Sequence, residues 1–327
     1  MATYVLSGDF RPLPLLGNAH VQTVLGNLLP APRFRYPTRE RFVRLADGDG
    51  LVLHDTMPQD WRPGGRIALL VHGLGGSHRS GYMRRVAKTL LPHGFRVVRM
   101  DLRGCGRGLP LARRPYHGGC SDDVRAAVAA IRSWDAASGV TLIGFSLGGN
   151  IVLKLAGEAT ERSVDGLERV AALAPPADFE RCAALLALPR NRLYEQYFVR
   201  GLLQQVGQRQ RFFPEEAAIR FPRRMTMRRF DDLYTSPRCG FDDATHYYRT
   251  AACLPLLEKI TVPTFILTAR DDPFIAADPL ECLATPPNME VLILDRGGHL
   301  GFLGRSGAGG FRWAEQRIAE WVIGKSS

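Results

Sequence analysis

The sequence predicts an α/β chain: a mostly parallel eight-stranded sheet with helices on both faces and one helical insertion. Three observations lead there. Short apolar runs alternate with helical patterns from about Phe42 to the C-terminus, which is the pattern of a parallel sheet whose crossovers are helices. A serine sits between two glycines where one apolar run gives way to a helical segment, in Gly144-Phe145-Ser146-Leu147-Gly148. The alternation then breaks once, from about Pro176 to Leu254.

In chain order, residues 1–40 read as an N-terminal arm packing on the core. Phe42–Arg44 and Leu51–Asp55 read as an opening hairpin. The continuous apolar run within Arg66–Val71 is a third strand, of the kind buried on both faces. A helix near Tyr82–Leu91, a strand at Arg96–Asp101 and a helix near Asp122–Asp135 follow. Val140–Ile143 is the strand before the serine, and Gly149–Glu158 is the helix after it. Arg169–Leu173 closes the first part of the core, residues 41–175. Residues 176–254 form the insertion, rich in aromatics and arginines. Its aromatic side chains fit two readings equally: the wall of a water-excluding pocket or the insertion's own small core. Residues 255–327 complete the core with strands Pro263–Thr268 and Val291–Leu294 and a helix near Arg312–Val322.

G-x-S-x-G between a strand and a helix is the signature of a nucleophile elbow. The turn is tight enough to favour small residues two positions either side of the serine, and it sets the hydroxyl at the positive end of the next helix. A serine hydroxyl needs a base to take its proton and an acid to orient that base. Downstream of Ser146 the only histidines are His246 and His299. His299 follows an apolar strand and the loop Asp295-Arg296-Gly297-Gly298, where a base could reach the serine; His246 lies in a polar stretch with no strand ahead of it. The base is therefore assigned to His299. The acid belongs after the strand Pro263–Thr268, where Asp271 and Asp272 compete. Counting from Ala269 gives Asp272, to which the acid is assigned, and counting from Thr268 gives Asp271; the other aspartate would cap the loop or pair with Arg270.

Two backbone N–H groups are also required, aimed at the oxygen that gains charge. Leu147 supplies one. Leu74 supplies the other, from His72-Gly73-Leu74-Gly75-Gly76-Ser77 after the third strand. That loop lacks the Lys-Ser/Thr pair of a P-loop and the G-x-G-x-x-G spacing of a dinucleotide site. His72 is expected to brace the loop. No metal or organic cofactor is called for.

The formal charge is +11, carried almost entirely by arginine, with Lys88, Lys154, Lys259 and Lys325 as the lysines. The arginines are spread along the chain and match no nucleic-acid-binding motif, so nucleic acid is not an expected partner. An arginine-rich coding bias accounts for them best; peripheral attraction to an anionic membrane surface is the functional variant. The six cysteines show no C-x-x-C pair or ligand spacing, which fits reduced thiols in the cytoplasm. No secretion signal is evident in Met1–Phe10, and no run reaches the ~18 apolar residues of a membrane span. A soluble cytoplasmic protein is expected.

Further segments give a resemblance that runs nearly end to end. Asn18-Ala19-His20-Val21-Gln22-Thr23, the loop from His72 to Ser77, and Arg103-Gly104-Cys105-Gly106 belong to it. So do Phe230-Asp231-Asp232-Leu233-Tyr234-Thr235-Ser236-Pro237, Asp271-Asp272-Pro273-Phe274 and Gly297-Gly298-His299-Leu300-Gly301-Phe302. Together they resemble the YheT-like branch of the α/β-hydrolases, related to eukaryotic α/β-hydrolase-domain lipases. The resemblance implies the α/β-hydrolase fold with a helical cap. It implies a serine hydrolase of carboxylic esters acting on a small-molecule ester, with short-chain or acylglycerol and phospholipid acyl groups as substrate classes. Thioester or amide hydrolysis on the same scaffold, and a catalytically idle binding module, are the alternatives. His20 and Gln22 match positions of that family, and packing of the arm on the core is the reading given to them.

Overall fold

The computed structural model describes residues 10–216, 219–305 and 310–324. A short helix, α1 (Ala19–Leu28), precedes the sheet. The hairpin β1 (Arg39–Arg44) and β2 (Gly50–Thr56) leads to β3 (Ile67–Val71), α2 (Gly81–Leu90), β4 (Arg96–Asp101) and α3 (Ser121–Trp134). Next come β5 (Val140–Phe145), α4 (Leu147–Glu158) and β6 (Leu167–Leu173). The insertion holds α5 (Phe179–Leu186), α6 (Arg192–Phe212), α7 (Met227–Phe230), a π turn over Asp231–Thr235, α8 (Ser236–Cys239) and α9 (Ala244–Ala251). The core resumes with β7 (Thr264–Ala269), α10 (Asp278–Glu281), β8 (Met289–Leu294) and α11 (Trp313–Ile323).

The eight strands lie in the order β1-β2-β4-β3-β5-β6-β7-β8. Both pairings of β2 are antiparallel, and every other pairing is parallel. Alternation of side chains across the sheet divides the core in two. Ile67, Leu69 and Val71 of β3 face the cluster that takes in α3 and α4, while Ala68 and Leu70 face the one that takes in α2 and α11. All five are fully buried, which is why this strand reads as an unbroken apolar run.

The sequence reading ends β5 at Ile143 and starts the next helix at Gly149; the structure closes that gap. Gly144 and Phe145 still pair with Ala172 and Leu173 of β6, and Leu147 is already helical. Only Ser146 stands between strand and helix.

Candidate active site

Ser146 adopts φ 51° and ψ −122°, a backbone geometry a non-glycine residue holds only where its surroundings enforce it. Here they do. Its N–H donates to the Leu173 carbonyl at 2.8 Å, and its own carbonyl accepts from Gly149 at 2.7 Å. A Cβ on Gly144 would lie 2.3 Å from the Gly148 oxygen, and one on Gly148 would lie 2.4 Å from the Val71 oxygen. Both flanking glycines are therefore required by backbone on the far side of the turn.

The structure brings Ser146, His299 and Asp272 together. His299 Nε2 lies 3.0 Å from Ser146 Oγ, and His299 Nδ1 lies 2.8 Å from Asp272 Oδ2. The other oxygen of Asp272 accepts the N–H groups of Phe274 and Ile275 at 3.1 and 3.0 Å. Both carboxylate oxygens are thus engaged, and the buried carboxylate accepts a hydrogen bond from Nδ1–H, which keeps that proton on the ring. Nε2 is left as the acceptor facing the serine hydroxyl. Asp271 Oδ1 instead accepts the Gly298 N–H at 2.9 Å, and burial pushes its pKa up. Arg270 turns away from both aspartates, to Glu281 and Asp295. His246 lies apart, beside Asp242 on the insertion.

The loop after β3 lies against the serine: a Cβ on Gly73 would be 3.0 Å from Ser146 Cβ. Two tyrosines fix its backbone. Gly73 N–H donates to Tyr82 Oη at 3.0 Å, and Gly75 N–H donates to Tyr116 Oη at 2.8 Å. The Leu74 N–H between them has no protein acceptor among the described residues. Leu147 opens α4, so its N–H has no partner within the helix. Both leucines line the same cavity as Ser146. Beneath them, His72 Nε2 accepts the Leu102 N–H at 3.0 Å, so its Nδ1–H donates to the Gly73 carbonyl at 2.8 Å. Burial holds the His72 pKa below its usual value and keeps the ring neutral.

A second brace stands behind the loop. His54 and His78 stack with ring centres 3.4 Å apart, and both donate to Asp101. Asp101 also accepts the His78 and Arg107 N–H groups. Burial raises the Asp101 pKa, but these hydrogen bonds outweigh it and hold the carboxyl well below the usual range. Stacked near-parallel rings keep their nitrogen lone pairs in two separate planes, which suits two donors on the two oxygens of one carboxylate better than two ligands meeting at a single metal ion.

Sequence reasoning missed what holds His299. Its N–H donates to Thr23 Oγ1 at 2.9 Å, and Thr23 donates in turn to Ala19 O at 2.8 Å. Gln22, fully buried, accepts the Leu303 N–H at 2.6 Å and donates to the carbonyls of Leu16 and Leu303. Gly298, at φ +56°, has no room for a Cβ, which would sit 2.4 Å from Ala19 O. The α1 segment, read in the sequence as part of an arm packing on the core, is thus a clamp on the histidine loop.

A cavity of about 600 Å³ opens over the serine, within the ~300–1,000 Å³ of ordinary small-molecule sites. The insertion lines it with Tyr194, Tyr197, Phe198, Phe230 and Tyr234. Phe179, Tyr247 and Tyr248 of the insertion line it as well, whereas Phe212 is exposed and Phe213 is buried against the Arg113 guanidinium. Phe230 and Tyr234 also pack on each other and on Phe221, so cavity wall and internal packing of the insertion share residues.

The family model described as the alpha/beta hydrolase fold matches residues 69–306. The chain belongs to this family. Among α/β-hydrolases it is 30% identical to YheT of Escherichia coli (strain K12), an esterase by name, over 97% of this chain and 93% of that one. It is 27% identical to a monoacylglycerol lipase of Saccharomyces cerevisiae, over 78% of this chain and 58% of that protein. The Pyrococcus furiosus esterase Pf2001 superposes with a TM-score of 0.57 at 16% identity, covering 90% of this chain and 98% of that one. That last likeness is one of fold.

Proposed function

We propose that this protein is a carboxylic-ester hydrolase working through an acyl-enzyme. The observation that carries the reading is the unbroken hydrogen-bonded chain from Ser146 through His299 to Asp272, opening on a largely apolar cavity. Ser146 Oγ attacks the acyl carbonyl as His299 Nε2 takes its proton. Asp272 keeps the imidazole in the right tautomer and stabilises the imidazolium that forms. The N–H groups of Leu74 and Leu147 receive the oxyanion. Collapse of the tetrahedral intermediate expels the alcohol, which leaves with the proton from His299. Water, deprotonated by the same imidazole, then releases the acid and restores the serine.

The apolar wall favours an acyl group of some length, in a short-chain ester or an acylglycerol-type lipid. Names of relatives such as monoacylglycerol lipase support the same substrate class. A cytoplasmic location is part of the reading, supported by six unpaired cysteines. Among the described residues no helix is long and apolar enough to cross a membrane.

A panel of p-nitrophenyl esters from acetyl to palmitoyl tests the reading. The expected result is serine-dependent hydrolysis with kcat/KM rising from acetyl to a preferred longer chain. A folded protein that hydrolyses none of them would contradict it.

A further inference from the structure

The mouth of the cavity is greasier than an aqueous opening needs to be. Four residues both line the cavity and stand open to solvent: Val24 (43% exposed) and Leu28 (69%) on α1, Leu193 (80%) and Tyr197 (63%) on α6. Spacings of four residues put each pair on one face of its helix. The two helices are tied together where His20 Nδ1 meets Tyr194 Oη at 3.0 Å and the two rings stack. Their exposed apolar stripes therefore form one rim around the opening.

Positive charge lies beside that rim. Arg190, Arg192 and Arg200 are exposed, and none has an acidic partner among the described residues. Arg200 lies three residues beyond Tyr197, on the same helical face. Glu195, the one acid in α6, is buried and accepts the Met227 N–H. No residue of α1 is acidic.

We infer that this rim is a docking face for an anionic lipid surface, from which a lipid ester enters the cavity by its acyl chain. The inference rests on the cavity being the acyl pocket of the proposed hydrolase. Apolar side chains entering the interface and arginines meeting lipid phosphates are complementary to such a surface in both respects. A second copy of this chain fits less well, because it would set the same three unpaired arginines against each other. A face at the mouth of the cavity that holds Ser146 also suits a surface that delivers substrate, where a protein partner would close that mouth.

The test uses the full chain carrying Ser146→Ala, which turns nothing over, sedimented with vesicles. One set is phosphatidylcholine alone and the other an equal mixture with phosphatidylglycerol. Partition is expected to be strong with the mixture, weak with phosphatidylcholine, and reduced by salt. Adding Arg192→Glu and Arg200→Glu should weaken it roughly tenfold or more, and Leu28→Ser with Leu193→Ser by a similar factor. The arginine pair in the Ser146 background should keep wild-type kcat/KM on p-nitrophenyl acetate. Equal partition to both vesicle types, or unchanged partition of both double variants, would overturn the docking face. Failure of the hydrolase reading would look different: vesicle binding would persist while no ester is turned over.

Discussion

The loop carrying Ser146 and the loop carrying His299 meet at 3.0 Å, yet they are held in place by different means. The serine turn is set by its own neighbourhood in the chain: β5 before it, α4 after it, and two glycines without which the backbone could not close. The histidine loop is set from far away in sequence, by Thr23 and Gln22 on α1, more than 270 residues upstream. One half of the site is a local device and the other is a tertiary assembly. In the structure the reacting atoms align with the N-terminal helix docked against the histidine loop.

That comparison can be broken or sharpened by substitution. The largest effects should come from the reacting residues themselves. Ser146→Ala and His299→Ala should each lower kcat by about 10⁴-fold or more without unfolding the protein, checked by ester kinetics and thermal melts. Asp272→Asn should cost about 10⁴-fold, because the wrong imidazole tautomer would face the serine. Asp271→Asn should cost far less, since that side chain holds a loop N–H and not the ring. Equal losses for the two aspartates would show that loop position, not tautomer, dominates.

An intermediate effect separates the two means of support. Thr23→Val removes the acceptor of the His299 N–H while keeping the shape, and a buried donor left unpaired costs ~1–3 kcal/mol. The expected result is a fall in kcat of roughly tenfold with KM unchanged, and recovery with Thr23→Ser. A fall in melting temperature with full kcat would make Thr23 a packing residue and not a positioning one. On the cavity wall, Tyr234→Ala should lower the ratio of octanoyl to acetyl ester kcat/KM, since each methylene buried contributes ~0.8 kcal/mol. Phe212→Ala, on an exposed side chain, should leave that ratio alone.

The smallest effect concerns pH. Burial holds the pKa values of His72 and His78 below the ordinary histidine value and that of His117 down to about 4. A group neutral when folded and protonated when unfolded contributes full stability above its unfolded pKa, ~6.5, and loses it as pH falls toward the folded value. Asp101, with its pKa depressed, contributes above ~3.9 and loses that below it. Melting temperature should therefore be level above about pH 7 and decline from about pH 6.5 down to about pH 4, with a further loss in stronger acid. The decline should be less steep below about pH 6, where Asp231, pushed up to about 6 by burial, and the raised Asp271 gain stability on protonation. A melting temperature that rises as the histidines titrate would contradict their burial as neutral rings.

How much could be read in advance follows from the same contrast. The eight strands, the serine, the histidine and the oxyanion loop were legible because each is announced by residues next to it in the chain. Asp272 was assigned over Asp271 by a count of one residue, which turns on whether β7 stops at Thr268 or Ala269, since neighbouring carboxylates look alike in sequence. Tyr82 and Tyr116 were not legible as supports of Gly73 and Gly75, since a tyrosine in a helix or a loop gives no sign of where its hydroxyl ends. The α1 segment was legible as an arm that packs on the core, but not as the clamp on His299. Hydrogen bonds between residues 22 and 303 leave no local pattern.

The central claim is that Ser146 is an activated nucleophile. Labelling the intact protein with a fluorophosphonate and mapping the adduct by peptide mass spectrometry tests it directly. The account predicts a single adduct on Ser146, absent in Ser146→Ala and formed far more slowly in His299→Ala. A folded protein that leaves Ser146 unlabelled, or labels at the same rate without His299, would contradict it.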